Sequence, residues 1–574
     1  MEEGTHQMSK HIFFTIVALL SVSVAAHSQT GIPSAVIQGL HGDAISLSGD
    51  IGTYGELYSI SGRDSRRPSS TARLYFRPTI SFYDAMTVSF NFLLSTEGSS
   101  RSVGHQVNQI NQLGIRPQWE WGYANAGDFT ESFTPFTLNG ILIRGGGVTI
   151  NPGLFRFSAI GGYTRRTGAG GGQSGFDRYL YGGKIGIGRD SESYFDLLFV
   201  RTRDTPSRFQ VIYPDSIVTP DSTQVGSPVN PYQETPQENL VVGLAGALKL
   251  FENVLSLNGE VSGSAFTRDM NSTTFASDKI PSAIRGFYTP RLSSSADYAY
   301  TVNMNVNLSQ LGFKAGYRRI GPGYNSLGVA SLVTDQREIM LGTNLRFSGW
   351  STTFMWTRQN DNLLDQKLHT TIRQTFAGNV SVRPVNEWNA SILTNVLTMR
   401  NYASSVNEMI RFATIGLGTS QAVMFGRDAL FQSASLSYMF QKSADDNPMR
   451  AGNGSVSHTV SLNSAASPTP DLTVVPGVSI VTSRVGPVPW TTIQTYSVTP
   501  QYRMLENQLV TSLTVALSTS ESTSSLQMNA TARYQLTPSN TMTLMIRRTG
   551  FSTNEPTTGN YSEYTTSLTV SHRL

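Results

Sequence analysis

The residues of this 574-residue chain whose types and spacing could do chemistry are mostly basic. In segments that alternate apolar and polar positions, Arg73, Arg77, Arg116, Arg156, Arg178, Lys184, Lys314, Arg318, Arg346, Arg373, Arg503, Arg533 and Arg547 fall on the polar side. The acids on that side are Glu120, Asp196 and Glu338. Arginine keeps its charge at every relevant pH and is costly when it faces hydrocarbon, so these positions belong against water. A wall of them would concentrate anions, unless acids on nearby loops neutralise it.

Other chemistry is sparse. The eight histidines form no His-Glu-x-x-His pattern, and Asp445, Asp446 and Glu131 are isolated loop acids, so no metal site is expected. Gly168 to Gly175 is glycine-rich but lacks a following Gly-Lys-Ser/Thr, which makes it a surface loop and not a phosphate cradle. There is no cysteine, which excludes disulfides and thiolate sites, and a net charge of +4 is too small to argue nucleic-acid binding. No catalytic residue and no cofactor are expected, although a hydrolase assembled from dispersed Ser, His and Asp would leave no local motif.

The elements that must position these groups are strands. In the stretch from Tyr564 to Leu574, Tyr564, Thr566, Leu568, Val570, His572 and Leu574 alternate with Thr565, Ser567, Thr569, Ser571 and Arg573, a period of two. The pattern recurs along nearly the whole chain. Tight turns at Asp84-Ala85, Ala124-Asn125, Asn151 to Gly153, Glu252-Asn253, Gly349 and Thr537 to Ser539 alternate with longer connections. The longer ones include Glu97 to Asn111, Asp204 to Glu238, Arg268 to Ala296 and Gly321 to Gln336.

Short turns alternating with long loops predict an all-β transmembrane antiparallel up-and-down β-barrel of about 24–26 strands, with short periplasmic turns and long extracellular loops. The last strand should pair with the first, because an open edge in lipid leaves backbone groups without partners. A ring of that size is about 50 Å across, so either Asp204 to Glu238 or Arg268 to Ala296 is expected to fold into the mouth, or the barrel to be flattened.

The apolar run Ile12 to Ala26, followed by Ala26-His27-Ser28, reads as a secretory signal peptide. The expected domains are residues 1–28 as signal peptide, 29–43 as a short periplasmic segment and 44–574 as barrel. This places the chain in a bacterial outer membrane, with outer-membrane lipid and the barrel-assembly machinery as partners and no nucleic acid. Tyr83, Tyr123, Trp350, Trp388, Tyr502 and Tyr534 lie near the short turns, where an aromatic girdle should meet the lipid headgroups.

Three runs within Ile45 to Arg166 carry a resemblance: Thr53 to Gly62 (TYGELYSISG), Phe133 to Gly140 (FTPFTLNG) and Gly145 to Gly153 (GGGVTINPG). This region, about a fifth of the chain, resembles large single-chain outer-membrane barrels of the Bacteroidota type, a poorly characterised porin-like family. The resemblance implies the fold and leaves the activity open, since some such barrels are porins and at least one is the translocon of the type 9 secretion system. Three function classes are therefore weighed: a channel for small, anionic solutes through an Arg-rich lumen, a protein-translocation or assembly pore, and, third, a membrane-embedded enzyme. A TonB-coupled receptor is disfavoured, because no plug domain separates the apolar run from the first strand near Ala44.

Overall fold

The computed structural model describes residues 45–83, 85–96, 112–165, 176–206, 235–274, 286–426, 429–450, 452–554 and 559–574. The expected signal peptide, the 29–43 segment, the glycine-rich loop 168–175 and the loop 97–111 lie outside the described residues.

All named elements are strands. The ring begins with β1 (Ile45–Ser61) and ends with β26 (Tyr561–Arg573). Between them run tight hairpins: β2 (Ser70–Phe82) with β3 (Met86–Ser95), β4 (Gln112–Trp119) with β5 (Gly122–Glu131), β6 (Ile141–Ile150) with β7 (Phe155–Arg165), and β8 (Phe176–Gly188) with β9 (Tyr194–Pro206). Next come β10 (Glu238–Leu250) with β11 (Leu255–Thr267), β12 (Ser294–Asn307) with β13 (Leu311–Ile320), β14 (Gln336–Phe347) with β15 (Trp350–Asn360), and β16 (Ile372–Val385) with β17 (Trp388–Arg400). The last are β18 (Arg411–Met424) with β19 (Phe431–Asp445), β20 (Ser455–Thr469) with β21 (Leu472–Val485), β22 (Thr491–Met504) with β23 (Leu509–Thr519), and β24 (Thr523–Thr537) with β25 (Asn540–Thr553).

Each strand pairs antiparallel with its sequence neighbours, and β1 pairs with β26, from Asp50 opposite Arg573 to Ser61 opposite Ser562. The protein is a closed 26-stranded antiparallel barrel, as the alternation of turns and loops predicts. Both β1 and β26 reach the seam at the short-turn end, where the Leu574 N–H donates to the Gly49 carbonyl at 2.9 Å.

Which face is inside follows from two loops. The segment 132–140 joins β5 to β6, and 321–335 joins β13 to β14. They start eight strands apart, yet the Asn139 N–H donates to the Gly328 carbonyl at 2.9 Å and the Ala330 N–H to the Asn139 carbonyl at 3.0 Å. Such loops meet by the short path, across the concave side. They cover Ile143, Leu180, Val200, Val241, Ala299 and Ile320, so these residues point inward. Cross-strand partners share a face, and the register carries this assignment round the ring. The other face is apolar and exposed, as at Ile187 (62%), Phe195 (52%), Val302 (53%), Ile392 (53%) and Leu462 (52%). A hydrocarbon-facing wall has this character.

One turn departs from the sequence reading. The tight connection expected at Ala124-Asn125 lies instead at Glu120 and Trp121, between β4 and β5. Trp119 and Trp121 pack edge to face across it at 5.2 Å. Glu120 is therefore a turn residue and not part of the inner wall.

Candidate functional site: a two-loop plug and a basic inner wall

The plug is built from the run Phe133 to Gly140 and its counterpart, 321–335. Phe133 and Leu138 pack with Phe129, Ile143, Ile160, Leu180 and Val200 on the inner face of β5 to β9. Phe136 and Tyr324 pack with Val241, Ala299 and Ile320 farther round the ring. Their rings meet edge to face at 6.2 Å, and the Tyr324 hydroxyl donates to the Phe136 carbonyl at 2.9 Å. The Ser326 hydroxyl donates to the Thr137 carbonyl at 2.8 Å.

Polar inner-face side chains tether both loops. The Asn239 amide group donates to the Asn325 carbonyl at 3.0 Å, and its oxygen accepts the Leu327 N–H at 3.0 Å. Glu260, mid-strand on β11, accepts from the Thr134 hydroxyl at 2.6 Å and from the Ser262 hydroxyl at 2.7 Å. Its other oxygen is buried without a hydrogen-bond partner. The plug therefore descends to mid-strand depth. Backbone approaches there leave no room for a side chain: a Cβ on Gly243 would lie 3.2 Å from Thr137 Cγ2, and one on Gly328 would lie 2.6 Å from the Thr137 carbonyl oxygen.

The loops expected to fill the mouth were Asp204 to Glu238 and Arg268 to Ala296. Residues 207–234 and 275–285 of these lie outside the described residues. The segments seen covering the inner wall are 132–140 and 321–335, because they carry the aromatic and aliphatic side chains that pack against β6 to β13.

The register places all the basic residues proposed above on this inner face. Arg77 is opposite Asp50, Arg73 opposite Tyr54 and Arg116 opposite Ser89. Arg318 faces Glu338, Lys314 faces Gly342, Arg346 faces Ser351 and Arg373 faces Gln359. Arg503 and Arg533 both flank Val510, and Arg547 lies between Asn529 and Thr565.

They divide into two sets. On the plugged wall the cations are neutralised by acids of neighbouring strands and turns. Arg156, only 4% exposed, donates to Asp196 at 2.8 and 3.1 Å, bonds Asp190 at 3.0 Å and lies over the Tyr194 ring. Lys184 Nζ is 3.9 Å from Asp196. Arg178 clasps Asp204 at 2.7 and 2.9 Å, with Arg165 at 3.2 Å on the same carboxylate. Arg318 pairs with Glu338 at 3.2 Å.

Elsewhere the cations lie over rings or stand exposed. Arg77 and Arg116 lie over the Tyr75 and Tyr123 rings at 5.5 and 3.9 Å, and Arg73 over Tyr54 at 5.5 Å. Lys314, Arg346, Arg373, Arg503, Arg533 and Arg547 are exposed, with no carboxylate within 4.0 Å among the described residues.

The acid count from sequence was too low. Asp50, Glu56, Asp204, Glu260, Asp297 and Glu563 also point inward. Glu56 and Glu563 are met by Arg66 and Arg67 from the β1–β2 connection, at 3.1 to 3.8 Å.

Among the aromatic residues, Trp350 (39% exposed), Trp388 (39%) and Tyr502 (44%) lie outward beside short turns, with Tyr534 on the same face. Tyr83 sits in the β2–β3 turn, 75% exposed. Tyr123 does not join them: it points inward beneath Arg116. Nearness to a turn does not fix a side chain's face, and it is Trp119 that takes the outward position there.

No protein-family model matches the chain, and no curated protein matches it. Among solved structures, the chain is similar to the translocation pore of the P pilus usher PapC, with a TM-score of 0.35 and 10% identity over 92% of this chain and 99% of that one. It is also similar to the FrpB iron transporter from Neisseria meningitidis (F3-3 variant), with a TM-score of 0.37 and 12% identity over 95% and 83%. A third is BauA, the ferric preacinetobactin receptor from Acinetobacter baumannii, with a TM-score of 0.38 and 9% identity over 92% and 81%. The fold, a closed antiparallel β-barrel, stands on the strand pairing itself. At these scores the likenesses carry no argument about this chain.

Proposed function

We propose that this chain is a bacterial outer-membrane channel of the Bacteroidota type for small anionic solutes, exported by its N-terminal signal peptide and seated by the barrel-assembly machinery. The observation that carries the reading is the set of exposed, carboxylate-free cations on the inner face from β13 to β25, Lys314, Arg346, Arg373, Arg503, Arg533 and Arg547. Cations along a low-dielectric wall concentrate counter-ions, and the plug narrows the lumen from the opposite side. Small solutes would pass between the plug and this arc.

The test is the reversal potential of the reconstituted protein across a potassium chloride gradient. Anion preference at low salt is expected. It should fade as the Debye length shrinks from about 10 Å at 0.1 M to about 3 Å at 1 M. Cation preference at low salt would end the anion reading. A protein-translocation pore is the second reading, favoured by the width of the ring: at about 4.8 Å per strand and a tilt near 40°, 26 strands enclose about 50 Å. It is favoured over the channel if the intact protein carries no small-ion current.

A further inference from the structure

The outward face carries a second set of cations, and their placement is one-sided. Among the described residues, no lysine or arginine stands on the outward face in the short-turn half of any strand. Every outward one lies in the long-loop half. Two of these are neutralised locally, Arg144 by Asp128 at 2.6 Å and Arg201 by Glu238 at 2.6 Å.

From β13 to β21 the outward cations have no such partner. Arg319 is directly opposite Arg337, and Arg400 is directly opposite Arg411, all at or one residue from the long-loop ends of their strands. Arg358 and Arg484 continue the row on β15 and β21. None has a carboxylate within 4.0 Å among the described residues, and Arg319 Nη1 is buried without a hydrogen-bond partner. Like charges directly opposite on a sheet face repel, so two such pairs, separated by β15 and β16, each call for an anion from outside the chain.

Rings flank the arginines. Arg319 lies over the Tyr298 ring at 4.5 Å, with Tyr300 and Tyr317 stacked alongside at 5.7 Å. Arg400 lies over Tyr402 at 5.8 Å and Arg484 over Trp490 at 5.1 Å. Tyrosine and tryptophan settle at the headgroup level of a membrane, and guanidinium forks match phosphate oxygens.

We propose that the outward Arg319–Arg337 and Arg400–Arg411 pairs bind the phosphate-bearing headgroups of lipids in the leaflet at the long-loop end. The proposal rests on the membrane-spanning reading above. One phosphate between each opposed pair converts repulsion into two charge-assisted contacts while the tyrosines take up the glycerol and acyl boundary. Among the described strand residues, no outward lysine or arginine meets the leaflet at the short-turn end.

Native mass spectrometry of the detergent-solubilised full-length protein tests this, because it reads lipid occupancy whether or not the pore conducts. Phosphatidic acid should be retained about tenfold more than diacylglycerol of the same chains, which lacks the phosphate. Arg319→Gln with Arg337→Gln, and separately Arg400→Gln with Arg411→Gln, should each lower that retention about tenfold. Lys249→Gln, on the inner face, should leave it unchanged. Equal retention of the two lipids, or full retention by both glutamine pairs, would overturn the proposal. Displacement of phosphatidic acid by millimolar inorganic phosphate would assign the site to free phosphate and overturn the lipid as its ligand.

Discussion

Tyr324 and Phe136 lie 188 positions apart in the chain, yet the Tyr324 hydroxyl donates to the Phe136 carbonyl at 2.9 Å inside the barrel. Tyr324 is fully buried, and so is nearly all of Phe136. Tyr324→Phe should loosen the plug by about 1 kcal/mol, the worth of one hydrogen bond, and Tyr324→Ala by about 3–5 kcal/mol, since it also leaves a cavity. Hydrogen exchange of the 132–140 amides should rise in that order while the strands stay protected. Equal protection in all three proteins would show that the loops do not hold each other.

Gly328 passes so close to the Thr137 carbonyl that any side chain must displace one loop. Gly328→Val is expected to raise single-channel conductance without lowering the strand content seen by circular dichroism. Unaltered conductance would mean that the current does not pass beside the plug.

The two sets of inner cations should respond differently to charge reversal. Arg533→Glu and Arg547→Glu, on exposed positions, should shift the reversal potential toward cations with little change in thermal stability. Arg156→Glu removes the partner of the buried Asp196 and should cost about 3–5 kcal/mol. If Arg156→Glu folds as well as Arg533→Glu, burial of the pair does not stabilise this wall.

The 361–371 connection is held to the plug loop by Asp335 and Lys367, whose charged groups are 2.6 Å apart. Burial pushes the Asp335 carboxyl up, but the Lys367 ammonium and the Leu363 and Asn362 N–H groups outweigh it and hold the carboxyl below its ordinary value. The hydrogen bond to Asp335 raises Lys367 above its ordinary value. A lowered acid stabilises above its unfolded pKa of about 3.9 and stops as pH falls through the folded value. A raised lysine stabilises below about 10.4 and stops as pH rises through its folded value. Protease nicking of 361–371 should therefore be slow from about pH 4 to 10 and speed up on either side. Asp335→Asn should abolish the acid limb, and a persisting acid limb would place the titration elsewhere.

The barrel was legible because its rule is local. A period of two with tight turns every other connection specifies strands, their order and their faces, and it put Arg77, Arg346 and Arg533 inside without knowledge of any contact. Tyr123 was misplaced because nearness to a turn sets a residue's height in the wall and not its face, and the alternation along β5 turns it inward. The plug was not legible, although the run Phe133 to Gly140 stood out in the sequence. Its partner, Tyr324, belongs to a loop eight strands away, and nothing in the period of either segment announces the other. The neutralisation of Arg156 and Arg178 was hidden for the same reason: Asp196 and Asp204 are beside them only across strand pairings.

The bridged loops have a mechanical side. A ring of 26 strands is a hoop whose joints bend easily, so its softest motion is to become oval. The contact between Asn139 and Val329 is a cross-tie pinned to that hoop at β5–β6 and at β13–β14. It stiffens the arc between the pins and leaves the rest free to breathe. Arg373, Arg503, Arg533 and Arg547 all stand on the untied arc, so the wall proposed to sort ions should also be the wall that yields.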